Sequence, residues 1–155
     1  MTQALLNETK IITKLKEIEA DLNDLEKLKE FSQKEFSNNR ITLSAAENFL
    51  RRALEAVFDI GNHILSRYSM RPSEQPKSYV DIAIILGKKK IVSEKFAQEK
   101  LTKMAKFRNK LIHMYDVIEP EQIHQIIQDD LDDFEIFARC IKKILENPKK
   151  YGLNI

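Results

Sequence analysis

Residues 79–86 read YVDIAIIL, and the fold class turns on how this run is read. Periodicity alone fits a buried strand or a short helix equally well. The flanks decide. Upstream, MRPSEQPKS (70–78) carries two prolines and reads as a connection. Downstream, Gly87 offers a helix stop, and KKKIVS (88–93) reads as a basic loop. Long helical patterns lie beyond both, so 79–86 is expected to be a short helix.

Farther out, Ile11, Leu15, Ile18, Leu22 and Leu25 recur at spacings of four and three, one apolar stripe on a long N-terminal helix expected over 1–37. SNNR (37–40) breaks that pattern and offers caps. A second helix is expected from about Thr42 to Tyr68, with Leu43, Ala46, Leu50, Ala53, Val57, Ile60 and Ile64 as its apolar positions. A third starts near Ser93 and runs to the break at Pro120. A last one spans about 121–146, and 147–155 is expected to fray. The expectation is one all-α domain over 1–155, a bundle of about four long helices and one short one.

Composition agrees and excludes several classes. The 155 residues include 3 Gly, 4 Pro and no Trp, a mix that favours helices. A net charge of +2 does not by itself imply a nucleic-acid binder, so a basic site would have to be local. Cys140 is the single cysteine, so neither an intrachain disulfide nor a thiolate cluster can form, and it reads as a small core residue. No apolar run reaches the ~18 residues of a membrane span, and MTQALLNETK lacks a basic-then-apolar leader pattern. A cytoplasmic protein without membrane contact is expected.

Chemistry concentrates in FRNKLIHMYD (107–116). At 100° per residue, Met104, Phe107, Leu111, Met114 and Ile118 form one stripe for docking into the bundle. Asn109, His113 and Asp116 fall on the opposite side, with Asn109 and His113 stacked four apart, and Arg108 and Tyr115 flank them. Leu101, Ala105 and Ile112 share that second face, which suggests a groove or a partner helix. Taken alone, His113 beside Arg108 reads as surface or packing more readily than as catalysis.

FRNKLIHMYD resembles the R-x4-H-x-Y signature of the HepT-like branch of HEPN proteins, the toxins of prokaryotic HepT/MntA toxin–antitoxin pairs. The likeness extends to AAENFLRRALEAVFDIGNHIL (45–65) and to the approach from 78 to 109, covering roughly 38–145. It implies a dimeric HEPN bundle and a metal-independent ribonuclease with a composite site at the dimer cleft. Arg108, His113 and Asn109 are the implied catalytic residues. RNA supplies its own nucleophile, the 2′-OH, so the residue types suit the task. A histidine moves protons near neutral pH, an arginine holds a phosphate bidentately, and Asn109 could orient His113 or bind the phosphate. Two copies would give one histidine as base and one as acid.

The resemblance further implies that an MNT-type nucleotidyltransferase antitoxin transfers AMP to Tyr115, placing bulk and phosphate charge beside His113. A packing or capping role for Tyr115 stays open. No cofactor or metal is expected, since His63, His113 and His124 are scattered. The acidic run Asp129, Asp130, Asp132 and Asp133 reads as a solvated face, and Lys88, Lys89 and Lys90 as a solubilising loop. Glu55, Asp59 and Asn62 could support the motif, and His63 reads as a buried or interface residue. The alternative is a non-catalytic HEPN subunit that docks and serves a nucleotidyltransferase. A generic helical dimerisation protein ranks last, since it leaves the motif as coincidence.

Overall fold

The computed structural model describes residues 4–113 and 118–155. Among these residues the protein is all-helical. The ambiguous run forms a helix, α4 (Tyr79–Lys88). Ser78 starts it: its Oγ accepts from the Asp81 amide at 3.1 Å, while Asp81 Oδ2 accepts from the Lys77 amide at 2.9 Å. Ile82, Ala83, Leu86 and Gly87 are buried at helical spacing on one face. Gly87 does not stop the helix. It allows close packing, since a Cβ there would lie 2.7 Å from that of Ala97. The stop is Lys90, a non-glycine residue at φ 61. The Ile91 and Lys90 amides return to the Leu86 and Gly87 carbonyls at 3.0 and 3.1 Å, a Schellman closure made without glycine.

Helix α1 (Glu8–Lys27) buries Ile11, Leu15, Ile18, Leu22 and Leu25 as its stripe predicts. It runs antiparallel along α3 (Arg40–Leu65), joined by Lys14–Asp59 at 3.3 Å and by Asp21–Arg52 at 3.9 Å. The expected continuous first helix is interrupted. After a 3-10 turn at Leu28–Glu30 the chain extends at Phe31, and Ser32 caps a separate short α2 (Gln33–Asn38). The cause is tertiary. Gln128 donates to the Lys29 carbonyl at 2.9 Å, and His124 Nε2 meets the Phe31 carbonyl at 2.9 Å. The break also allows Phe36 to be fully buried against the His124 ring.

Ser93 caps the third expected helix, which contains α5 (Glu94–Phe96), a π-helical stretch (Ala97–Leu101) and α6 (Thr102–Ile112). It ends at Ile112, well before Pro120. The last expected helix is two: α7 (Pro120–Asp129), with Pro120 at its first turn, and α8 (Asp132–Glu146). Leu131 between them is buried. Asp132, Asp133 and Glu135 then fill the first turn of α8, where the helix dipole favours acids.

The tail departs from the expected fraying. A 3-10 turn at Pro148–Tyr151 leads to Gly152 at φ 73, and the reversal buries Leu153. Tyr68 donates to the Tyr151 carbonyl at 2.5 Å, and the Leu6 amide donates to Asn154 at 2.8 Å. Apolar burial of one leucine, about 2 kcal/mol, opposes the entropy of ordering the segment.

Candidate active site

The motif segment leaves the helix at its histidine. Ile112 is the last helical residue of α6, and His113 takes extended backbone at φ −80 and ψ 108. Its amide still donates to the Asn109 carbonyl at 3.0 Å. The histidine therefore caps α6 with its backbone still bonded one turn back, its side chain is exposed, and the chain departs from the helix after it. Tyr115, together with Met114 and Asp116, lies outside the described residues. Ile118 is described, and it lies beyond the helix.

Arg108 is held from the other side. Its guanidinium lies 3.9 Å from the ring centroid of Tyr79, the first residue of α4, and Tyr79 in turn meets Phe58 edge-on at 5.5 Å. Stacking on an aromatic face fixes the plane of the guanidinium while leaving its donors to act in that plane. Arg108 Nη1 donates to Asn109 Oδ1 at 3.4 Å, and Nε is buried with no protein partner among the described residues. Asn109 thus links the other two, touching Arg108 through its side chain and His113 through its carbonyl.

His113 borders a cleft of about 280 Å³ together with Ser44, Glu47, Asn48, Arg51, Lys110 and Leu111. Arg108 does not line it. Arg51 Nη2 donates to Asn48 at 2.8 Å and pairs with Glu55 at 3.6 Å. Burial pushes the Glu47 carboxyl up. The cleft thus offers two cations, one carboxyl group and an imidazole, a set able to hold an anion and to exchange protons with it.

Sequence reasoning gave Glu47, Asn48, Arg51 and Lys110 no part in the chemistry. The spacing of Glu47, Asn48 and Arg51 on α3 marks them as one polar face, but no local pattern says that this face meets Lys110 and the end of α6. Of the supports expected on α3, Glu55 reaches the cleft through Arg51. Asp59 turns to Lys14 of α1, and Asn62 is exposed. Leu101 and Ala105, expected on a groove or partner face, are fully buried within the bundle, where α4 packs along the π-helical stretch and α6. His63 is buried, as its setting suggested. Among the described residues no three His, Cys, Asp or Glu side chains converge to hold a metal, and no helix is long and apolar enough to cross a membrane.

Known proteins are similar to this chain in sequence and fold. The family model described as ribonuclease HepT-like matches residues 18–141. The tRNA nuclease HepT of Aphanizomenon flos-aquae is 29% identical over 137 residues, covering 87% of this chain and 89% of that protein. Two solved structures superpose well. One is the tri-AMPylated Shewanella oneidensis HEPN toxin in complex with MNT antitoxin, with a TM-score of 0.74 and 25% identity over 86% of this chain and 97% of that one. The other is YutE from Bacillus subtilis, described as a cytosolic protein, with a TM-score of 0.76 and 25% identity over 93% and 94%.

Proposed function

Because the chain belongs to the ribonuclease HepT-like family, we propose that it is the toxin of a toxin–antitoxin pair, a cytoplasmic, metal-independent endoribonuclease acting as a homodimer. The carrying observation is the separation of the motif residues in one protomer: His113 borders the cationic cleft, while Arg108 stacks on Tyr79 outside it. A second copy apposed at this end would supply the arginine and the second histidine that one cleft lacks. His113 of one copy takes the proton from the RNA 2′-OH as the oxygen attacks the adjacent phosphorus. The partner's imidazolium returns a proton to the departing 5′-oxygen. The products are a cyclic phosphate and a free hydroxyl, with protons balanced between the two histidines. Arg108, its plane set by Tyr79, holds the phosphoryl oxygens as charge grows on them, and Asn109 keeps Arg108 and the His113 backbone in register.

Tyr115, two residues beyond His113, is proposed as the acceptor of AMP from an MNT-type nucleotidyltransferase antitoxin. The toxin–antitoxin complex among the similar structures supports this partner class. The attached phosphate would occupy and repel at the position an RNA phosphate needs.

The test is cleavage of RNA in EDTA by the wild type and by Arg108→Ala and His113→Ala, with intact mass used to confirm unmodified Tyr115. Loss of one proton-transfer group is expected to slow cleavage by about 10²–10⁴-fold. Cleavage by both variants at the wild-type rate would overturn the assignment. Absence of cleavage by unmodified wild type would leave a non-catalytic dock for the nucleotidyltransferase.

A further inference from the structure

On the far side of Lys110 from the His113 cleft lies a second, larger hollow of about 360 Å³. Its floor is apolar, made by Leu50, Leu54, Met104, Phe107, Ile126 and Phe134. Its rim is basic: Lys100, Lys103, Lys106 and Lys110 succeed one another along one side of the π-helical stretch and α6. The first three are exposed, and Lys110 Nζ donates to Gln122 at 3.3 Å. Asp130 and Asp133 stand on the opposite wall, and burial pushes the Asp133 carboxyl up against the opposing influence of Lys100 and Lys103. Lys110 belongs to both hollows, so the basic rim, ~15 Å long at 1.5 Å rise per residue, runs into the cleft that holds His113.

An apolar floor, a cationic rim on one side and carboxyls on the other suit a ligand with a flat apolar body and an anionic edge. We propose that this hollow is a subsite for a single-stranded stretch of RNA, receiving one unpaired base on the Met104–Phe107–Phe134 floor while Lys100 and Lys103 hold its flanking phosphates. The inference rests on the ribonuclease reading and adds the path of the substrate to it. Asp130 and Asp133 turn phosphates away from the far wall, so the base enters inward and the backbone follows the lysines toward Lys110. A paired base cannot leave its stack to fill the floor at similar cost, so duplex RNA is disfavoured here. A phosphate-tracking rim with a base platform is the general device for single strands.

The experiment is fluorescence anisotropy with a labelled, fully 2′-O-methylated oligoribonucleotide, which can bind without being cut. The wild type is compared with Lys100→Gln/Lys103→Gln at several salt concentrations, using the single strand and the same sequence annealed as duplex. Expected are about tenfold weaker single-strand binding by the double variant, a salt slope smaller by about 1.4 for two lost phosphate contacts, and less than twofold change for the duplex. Unchanged affinity and slope for the single strand would overturn the proposal and leave the hollow to another occupant, such as an acidic segment of a partner protein. An equal loss for duplex and single strand would also overturn it, since the base would have no part. Binding needs no catalysis, so lysine-dependent binding without cleavage of unmodified RNA would sustain the subsite and defeat the ribonuclease reading. Cleavage with lysine-independent binding would do the reverse.

Discussion

Helix α3 carries a histidine environment near each of its ends, and the two could hardly differ more. Near its C-terminal end, His63 is only 6% exposed. Its Nε2 accepts from the Asn7 amide at 3.0 Å, and Nδ1 lies 3.4 Å from Arg67 Nη2. Burial, followed by the charges of Arg67 and Lys10, holds its pKa below the ordinary value. Near the N-terminal end, Ser44, Glu47, Asn48 and Arg51 face His113, which is exposed where α6 stops. The chain's two termini, tied by Leu6 and Asn154, close the first end. The same side chain is a structural acceptor where chain covers it, and a candidate proton carrier where chain leaves it open.

The sharpest way to break this contrast is to delete each imidazole in turn. His63→Ala removes a buried ring and leaves the Asn7 amide without its acceptor, so it is expected to destabilise by about 2–3 kcal/mol in denaturant melts. Cleavage per folded molecule should stay unchanged. His113→Ala, the variant expected to lose cleavage, should melt within about 0.5 kcal/mol of the wild type. A stable His63→Ala, or an unstable His113→Ala, would erase the distinction.

Acid sharpens the comparison further. Unfolded His63 binds a proton near its ordinary value of about 6.5, whereas the folded residue resists it until a lower pH. Between those values the unfolded chain holds more protons, so stability falls as pH drops below about 6.5 and is complete above it. The buried carboxyl of Asp21, raised by burial, has the opposite sign and gains stability on acidification. Subtracting the melt profile of His63→Gln from that of the wild type isolates the histidine. The difference should shrink with falling pH, and a constant difference from pH 7.5 to 5 would refute the assignment.

The smallest effect concerns the basic loop after α4. Lys90 adopts φ 61, a region that costs residues with a side chain. Lys90→Gly relieves that strain but loosens the unfolded chain and loses the exposed pair with Glu94. A net gain of about 0.5 kcal/mol is expected, with no change in RNA cleavage, since this loop lies outside both hollows. Destabilisation would show that the lysine contributes more than its backbone costs.

Local signals carried much of the fold. The α1 stripe needed only its 3–4 spacing, and the helical patterns on both sides decided for helix in a run that periodicity left open at 79–86. The Arg108 and His113 motif was also legible, since it is a short string of residue types. Three features were not. The break at 28–32 depends on His124 and Gln128, almost a hundred residues away, taking carbonyls that a continuous helix would have kept. The tail looked polar and free, yet one buried leucine and a left-handed glycine dock it. The Lys110 junction between two hollows exists only because α3 and α7 both meet α6 there.

Sequence by itself therefore determined the helical class, the apolar stripes and which residues carry the candidate chemistry, because periodicity, capping and residue type act over a few neighbours. Tertiary structure alone decided where helices break, that Arg108 stacks on Tyr79 while His113 turns into a cationic cleft, and which histidine is sealed from water. Those outcomes rest on contacts between distant segments, and on which backbone groups those segments leave for others to satisfy.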